Sequence, residues 1–496
     1  MKFCQIILVF LLIGLIGCQK DKNIIITGKI IGEIPEKVEY TTPINGTWFY
    51  GSKKSVQPDS SGNFRIIINI DSPSFITLYI PKKSNGTLLV ESGKTYTINF
   101  NLDSTDKKFV VLGENHKGQN IYNSFPNPDF NIYGGNEFLK DSVASVISSK
   151  IKTAKEKEIL LFTKLFDKGE ISEDFFSLVK LDRECYYSSM QGRVASYKFM
   201  ESERNKNEEL KGNSLELWNE VVNNMPLTTP KLFRSPWFYS LADNFIEYNE
   251  LKNESFDVEK LVSIYRQGLV HSHKIEGSKR YLNENKLEYY DASYIYYHCW
   301  QNKDNSKELI TLYEKFIEEY PNSEYSNYLT SMVTPIIEFH KKVAKEISLN
   351  KKFRFIDNHN NIDSFSELLK PLRGKKIYID IWTTWCGPCK REFKHKTALG
   401  KLLKSKNIEL LYISHDKDEK NELWKEMIKG YGLEGYHIRA NELLKTDMIK
   451  IFGHRGSFGY PRYILIGENG KIIQENAKKP SQLYELEKEL NEISQT

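Results

Sequence analysis

Cysteine is scarce in this chain: six residues in 496. Only Cys386 and Cys389 stand close together. A structural zinc centre needs four ligands, and without a second cysteine pair none can be built around these two. Long apolar runs are scarce as well. Residues 6–16 form one, and no other stretch approaches the roughly 20 residues that a spanning helix requires. Excess charge is also missing. A formal net charge of +5 over this length argues against nucleic acid or a strongly charged partner. Internal repetition is lacking too: the apolar spacing around Leu309, Leu312 and Phe316 has no second copy, so a helical-repeat array is not supported. His271 and His273 are expected to be solvated, because no carboxylate or cysteine pattern completes a metal site with them.

What remains is ordinary in bulk and specific in one place. The chain is 40% hydrophobic and 27% charged, which suits a globular protein, and its length calls for two to four domains. The specific place is residues 376–391, KIYIDIWTTWCGPCKR. Residues 377–382 read as a buried strand, and a helical pattern starts after Cys389. The junction sets Cys386 at a helix N-terminus, where free N–H groups and the helix dipole favour a thiolate. Cys386 is therefore the expected exposed nucleophile and Cys389, one turn on, the shielded resolving thiol. Together they make a reversible two-electron switch. Asp380 lies inside the apolar strand, so burial should raise its pKa above about 3.9 and fit it to exchange protons.

Trp385-Cys386-Gly387-Pro388-Cys389-Lys390 resembles the active site of thioredoxin, and residues 351–496 resemble the TlpA/ResA family of membrane-tethered thiol–disulfide oxidoreductases. Thr383 precedes Cys386 by three residues, as in peroxiredoxins, but Ile379 stands where that family's proline would be. The TlpA/ResA resemblance implies an α/β thioredoxin fold and a redox-active Cys386–Cys389 disulfide. It makes Asp380 the buried acid serving Cys389 and Tyr460-Pro461 the cis-proline turn facing the sulfurs. Trp385, Gly387, Pro388, Tyr460 and Pro461 would meet the substrate chain. The resemblance implies no cofactor and no metal. Its implied partners are protein disulfides and a membrane-spanning DsbD-like or CcdA-like electron donor. Gly-Pro between the cysteines is similar to thioredoxin, with a potential near about −270 mV against about −120 mV for strong oxidants. That favours a reductase, acting on misoxidised envelope proteins or on apocytochrome c. A scaffold lipoprotein whose redox site serves one client is the alternative. Two departures stand out: Lys394 replaces a helix-kinking proline, predicting a straighter helix, and Tyr460 is bulky for its place.

Elsewhere, residues 1–17 read as an export signal, and Leu15-Ile16-Gly17-Cys18 resembles a bacterial lipobox. Cys18 is then the lipidated first residue, anchoring the protein in the cell envelope on the periplasmic side. Residues 23–112 predict a β-sandwich-like domain, similar to those set ahead of TlpA-like domains. Residues 113–350 predict an all-α region and residues 351–496 the thioredoxin-like domain. Within the α region, Tyr289, Tyr290, Tyr294, Tyr296, Tyr297 and Trp300 are read as core rather than as a stacking platform. Cys185 and Cys299 could pair or remain buried thiols. Near the end, residues 353–356 and Ile362 predict an opening strand pair, and Ser481 the cap of a closing helix.

Overall fold

A computed structural model describes residues 22–106, 108–129, 134–229, 231–252, 263–264, 269–344, 352–356, 361–453 and 458–493. The signal segment and Cys18 lie outside these residues. The chain divides into two compact units, Met1–Phe256 and Asp257–Thr496.

The first unit opens with eight strands: β1 Asn23–Ile31, β2 Val38–Thr41, β3 Lys53–Val56, β4 Asn63–Asn69, β5 Ser74–Ile80, β6 Ser84–Val90, β7 Thr95–Asn101 and β8 Phe109–Gly113. They form two four-stranded sheets, ordered β4-β1-β7-β8 and β3-β2-β5-β6. Alternation explains the layering. In β1 and β4 every second residue is buried, so Ile24, Ile26, Phe64 and Ile66 meet Ile76, Leu78 and Leu88 of the other sheet in one core. Among the described residues five α-helices follow: α1 His116–Tyr122, α2 Ala144–Asp167, α3 Glu173–Asn205, α4 Glu208–Asn224 and α5 Phe238–Lys252. The side chains of Gln119 and Asn123 pair with the backbone of β6 at Leu89 and Thr87, which joins α1 to the sheet. Cys185 is a buried free thiol.

The second unit contains both helices and a sheet. Its helices α6 Val270–Ser278, α7 Glu284–Trp300, α8 Lys307–Glu319 and α9 Ser326–Ala344 precede the sheet. On α7, Tyr289, Tyr290, Tyr294 and Tyr296 are buried, as the core reading expects, and Cys299 is a second buried free thiol. The helical stretch of residues 113–350 thus contributes to both units.

The sheet has six strands in the order β14-β13-β10-β11-β12-β9: β9 Phe353–Phe355, β10 Lys376–Trp382, β11 Ile408–Ser414, β12 Gly435–Arg439, β13 Arg462–Ile466 and β14 Ile472–Gln474. Central β10 is parallel to β11 and antiparallel to β13. Helices α10 Phe365–Leu369, α11 Gly387–Glu392, α12 Lys396–Ser405, α13 Asn421–Tyr431, α14 Glu442–Phe452 and α15 Leu483–Ile493 accompany it. Leu399, Trp424, Ile428 and Leu486 are buried in one core and Leu368, Leu444 and Met448 in another. The residues of β10 divide between these cores: Tyr378 and Trp382 enter the first, Ile377, Ile379 and Ile381 the second.

Three local expectations are corrected. The opening strand pair is absent among the described residues: β9 runs parallel beside β12, and Ile362 packs against the core outside any strand. The helix after the cysteines is broken rather than straight. A 3₁₀ turn at Phe393–His395 separates α11 from α12, and buried Phe393 turns toward Trp382 and Tyr431. Ser481 does not cap α15 with its side chain, because its hydroxyl is 3.0 Å from Glu392.

Candidate active site

Strand β10 runs straight into the motif, and α11 begins within it. Cys386 is the N-cap of α11, and the Cys389 N–H donates to its Sγ at 3.1 Å. Proline suits the first turn because an N–H there would have no partner within the helix. The two sulfurs form a disulfide, with Cα atoms 5.3 Å apart. The N–H that caps Sγ would also stabilise a thiolate there once the disulfide is reduced.

Both cysteines are buried, Cys386 at 3% exposure and Cys389 at 1%. The expectation of an exposed Cys386 is therefore corrected. One neighbour of the motif comes from far upstream: a Cβ added at Gly387 would sit 3.2 Å from the carbonyl oxygen of Asn302 and 3.3 Å from that of Gln301. Arg391 also donates to the Gln301 carbonyl at 3.4 Å. The loop between α7 and α8 thus lies along the start of α11. Trp385 is 63% exposed beside the motif.

Asp380 is buried in β10, between Tyr412 and Tyr463 of the flanking strands. Side chains two apart share a face of a strand, so Asp380 lies on the face of Tyr378 and Trp382, which pack in one cluster with both cysteines. Its Oδ1 has no hydrogen-bond partner. Burial, and after it the charge of Glu392, hold its carboxyl well above the usual range. Glu392 follows Cys389 by three residues and accepts from the N–H of Ser481 at 2.8 Å.

The Tyr460–Pro461 bond is cis, as expected, and leads into β13. The Tyr460 ring stands edge-on to Trp385 with centroids 5.6 Å apart. Its hydroxyl lies 2.9 Å from Nδ1 of His415. Burial, then the charge of Lys445, push the His415 imidazole down to about 4, so it is neutral near pH 7. Asp416 braces the turn before Cys386 by accepting from Thr384 N–H and Oγ1, both at 2.8 Å. Lys390, also buried, is depressed by desolvation, while Asp304 and Asp416 counter that effect.

Sequence reasoning missed His415, Asp416, Glu392 and the 301–305 loop. Nothing local marks them, since each acquires its place only through the fold. It also misjudged His271, which is buried beside His298 and Asp304.

A parallel-centred sheet with a helix-capping Cys-Gly-Pro-Cys disulfide, and a cis-proline preceded by a tyrosine whose ring meets Trp385, defines a thioredoxin-fold dithiol domain. Residues 354–490 match the Redoxin family. Over 110 residues the chain is 31% identical to the thiol-disulfide oxidoreductase ResA of Bacillus thuringiensis subsp. konkukian, covering 22% of this chain and 57% of that protein. With ResA of Bacillus subtilis it shares 28% over 106 residues, 21% of this chain and 55% of the relative. The chain therefore spans little more than half the length of these curated relatives. A putative thiol-disulfide oxidoreductase from Bacteroides vulgatus, solved in solution, is 33% identical over 25% of this chain and 78% of its own, with a TM-score of 0.22. Residues 354–490 thus form a Redoxin-type domain with the thioredoxin fold, similar to the TlpA/ResA-like thiol–disulfide oxidoreductases.

Proposed function

We propose that the protein is a membrane-anchored thiol–disulfide oxidoreductase of the cell envelope that reduces protein disulfides through Cys386 and Cys389. The observation that carries this reading is the disulfide on the first turn of α11, with the Cys389 N–H aimed at Cys386 Sγ. In the reduced enzyme the Cys386 thiolate attacks one sulfur of a substrate disulfide. A mixed disulfide forms, and the first substrate sulfur leaves as a thiolate that takes a proton from water. Cys389 then passes its proton to the ionised form of Asp380 and attacks Cys386 Sγ. The second substrate sulfur leaves as a thiolate that takes that proton back from Asp380, and two electrons have passed from enzyme to substrate. The Cys386–Cys389 disulfide must then be reduced again, a role that suits a DsbD-like or CcdA-like membrane donor. Lipidated Cys18 would hold the protein at the membrane. Among the described residues no helix is long and apolar enough to cross one.

Trp385, Gly387, Pro388, Tyr460 and Pro461 would form the surface that receives the substrate chain. A second reading, a scaffold whose redox site serves a single client such as an apocytochrome c, draws on the Gln301–Asn302 backbone beside Gly387, which narrows that surface. The test is turnover of a generic protein disulfide by the full chain with a chemical reductant. Turnover lost in Cys386→Ser supports the general reductase. An intact, reducible disulfide without generic turnover favours the single-client reading. A Cys18→Ala protein that leaves the membrane fraction supports the anchor.

A further inference from the structure

Away from the cysteines, three segments of the second unit bring together two imidazoles and a carboxylate. His271 lies in the first turn of α6, His298 in the last turn of α7 and Asp304 in the loop before α8. One ligand atom from each falls within 4.8 Å of the others. His271 Nε2 is 3.1 Å from Asp304 Oδ2, and its Nδ1 is 3.0 Å from the Tyr294 hydroxyl. A partner on the far nitrogen is the arrangement that fixes tautomer and ring orientation in metal-binding histidines. The His298 ring lies 4.6 Å from that of His271, centroid to centroid, and its Nδ1 is 3.1 Å from the Asn302 amide.

We propose that His271, His298 and Asp304 bind one divalent transition-metal ion of the zinc class, and that the ion fastens the 301–305 loop along the active-site helix. Zinc takes imidazole nitrogen and carboxylate oxygen at about 2.0–2.2 Å, which sets donors of a tetrahedral site about 3.4 Å apart. The His271–Asp304 separation is already close to that, and a shift of His298 by at most about 1.4 Å brings its nitrogen to the same spacing. Magnesium and calcium fit poorly, since both prefer sets made of oxygen alone. Three protein donors leave a fourth position for water. The rival explanation is a plain hydrogen-bonded chain of Tyr294, His271 and Asp304 with a proton where the metal would sit. The loop gives the ion a structural consequence. Asn302 holds His298 on one side and abuts Gly387 on the other, and Asn305 bonds to the Tyr431 hydroxyl at 2.6 Å.

The experiment uses the full chain with the Cys386–Cys389 disulfide oxidised, so that neither sulfur can bind metal. Zinc alone is titrated by calorimetry and cobalt by visible absorption. The expected result is one ion per chain, with affinity reduced at least about tenfold by His298→Ala and by Asp304→Asn and unchanged by His273→Ala. Zinc should also slow amide exchange in residues 301–305. Asp304→Asn is close to isosteric and lies in a loop, so it remains informative if His298→Ala fails to fold. No binding up to about 1 mM zinc, the millimolar limit of specific affinity, overturns the site. So does binding that both variants leave intact.

Discussion

Phe339 of α9 lies directly over Gly430 of α13, so close that a Cβ at Gly430 would sit 2.1 Å from Cε2 of the Phe339 ring. The same ring meets Tyr431 at 5.3 Å between centroids, and Phe339 joins the core that contains both cysteines. A helix more than forty residues upstream of the redox motif is thus built into the redox domain. Gly430→Ala must displace Phe339 or bend α13, and overpacking of this kind costs about 1–3 kcal/mol. Denaturant unfolding of the second unit should show that loss. An unchanged midpoint would mean that α9 is not seated there.

Replacing Cys389 by Ser should trap covalent complexes between Cys386 and substrate proteins, because the resolving thiol is gone. Replacing Cys386 should trap none. Non-reducing gels read both outcomes, and the reverse pattern would exchange the roles of the two sulfurs.

Asp380→Asn should slow resolution near neutral pH while the first attack by Cys386 continues. It should also stabilise the fold, and the sign follows from linkage. The Asp380 carboxyl titrates higher in the native state than in the unfolded chain. Between those two values the native state holds the extra proton, so parent stability falls with rising pH by about 1.4 kcal/mol per pH unit. The amide removes that loss. Its advantage should be present at pH 7 and vanish below about pH 3.9, where the carboxyl is protonated in both states. Denaturation curves from pH 3 to 8 check this, and an advantage that does not change with pH would point to packing instead.

His415 gives the opposite slope. Its imidazole is pushed down to about 4 in the native state, against about 6.5 unfolded. Within that window the unfolded chain binds the extra proton, so stability falls as the solution becomes more acid. His415→Gln should flatten this part of the profile. It should also loosen Tyr460, whose hydroxyl it holds, and raise KM for protein disulfides more than it changes kcat. An unaltered KM would remove Tyr460 orientation from substrate binding.

Legibility followed the range of the interactions. The sandwich strands were readable because burial alternates residue by residue along β1 and β4. The redox motif was readable because strand, turn and helix cap lie within a few residues of Cys386. Asp380 was readable because an acid inside an apolar run has no route to water. The break at Phe393–His395 was not, since it follows from where Phe393 packs and not from a proline. The burial of Cys386 and of His271 was hidden for the same reason: their neighbours at Asn302 and Asp304 arrive from other parts of the chain. The contact between Phe339 and Gly430 spans residues whose local patterns are each complete without it.

Gly387 carries a consequence for any attempt to alter the redox chemistry by changing the residues between the cysteines. A Cβ there would lie 3.2 Å from the carbonyl oxygen of Asn302 and 3.3 Å from that of Gln301. An alanine at 387 would push that loop by a few tenths of an ångström, and a larger residue by more, besides acting on the sulfurs. Measured reactivity would then mix two causes, a changed helix start and an uncovered one. Grafting a dipeptide from another oxidoreductase into this chain would transplant a sequence into a space of the wrong shape.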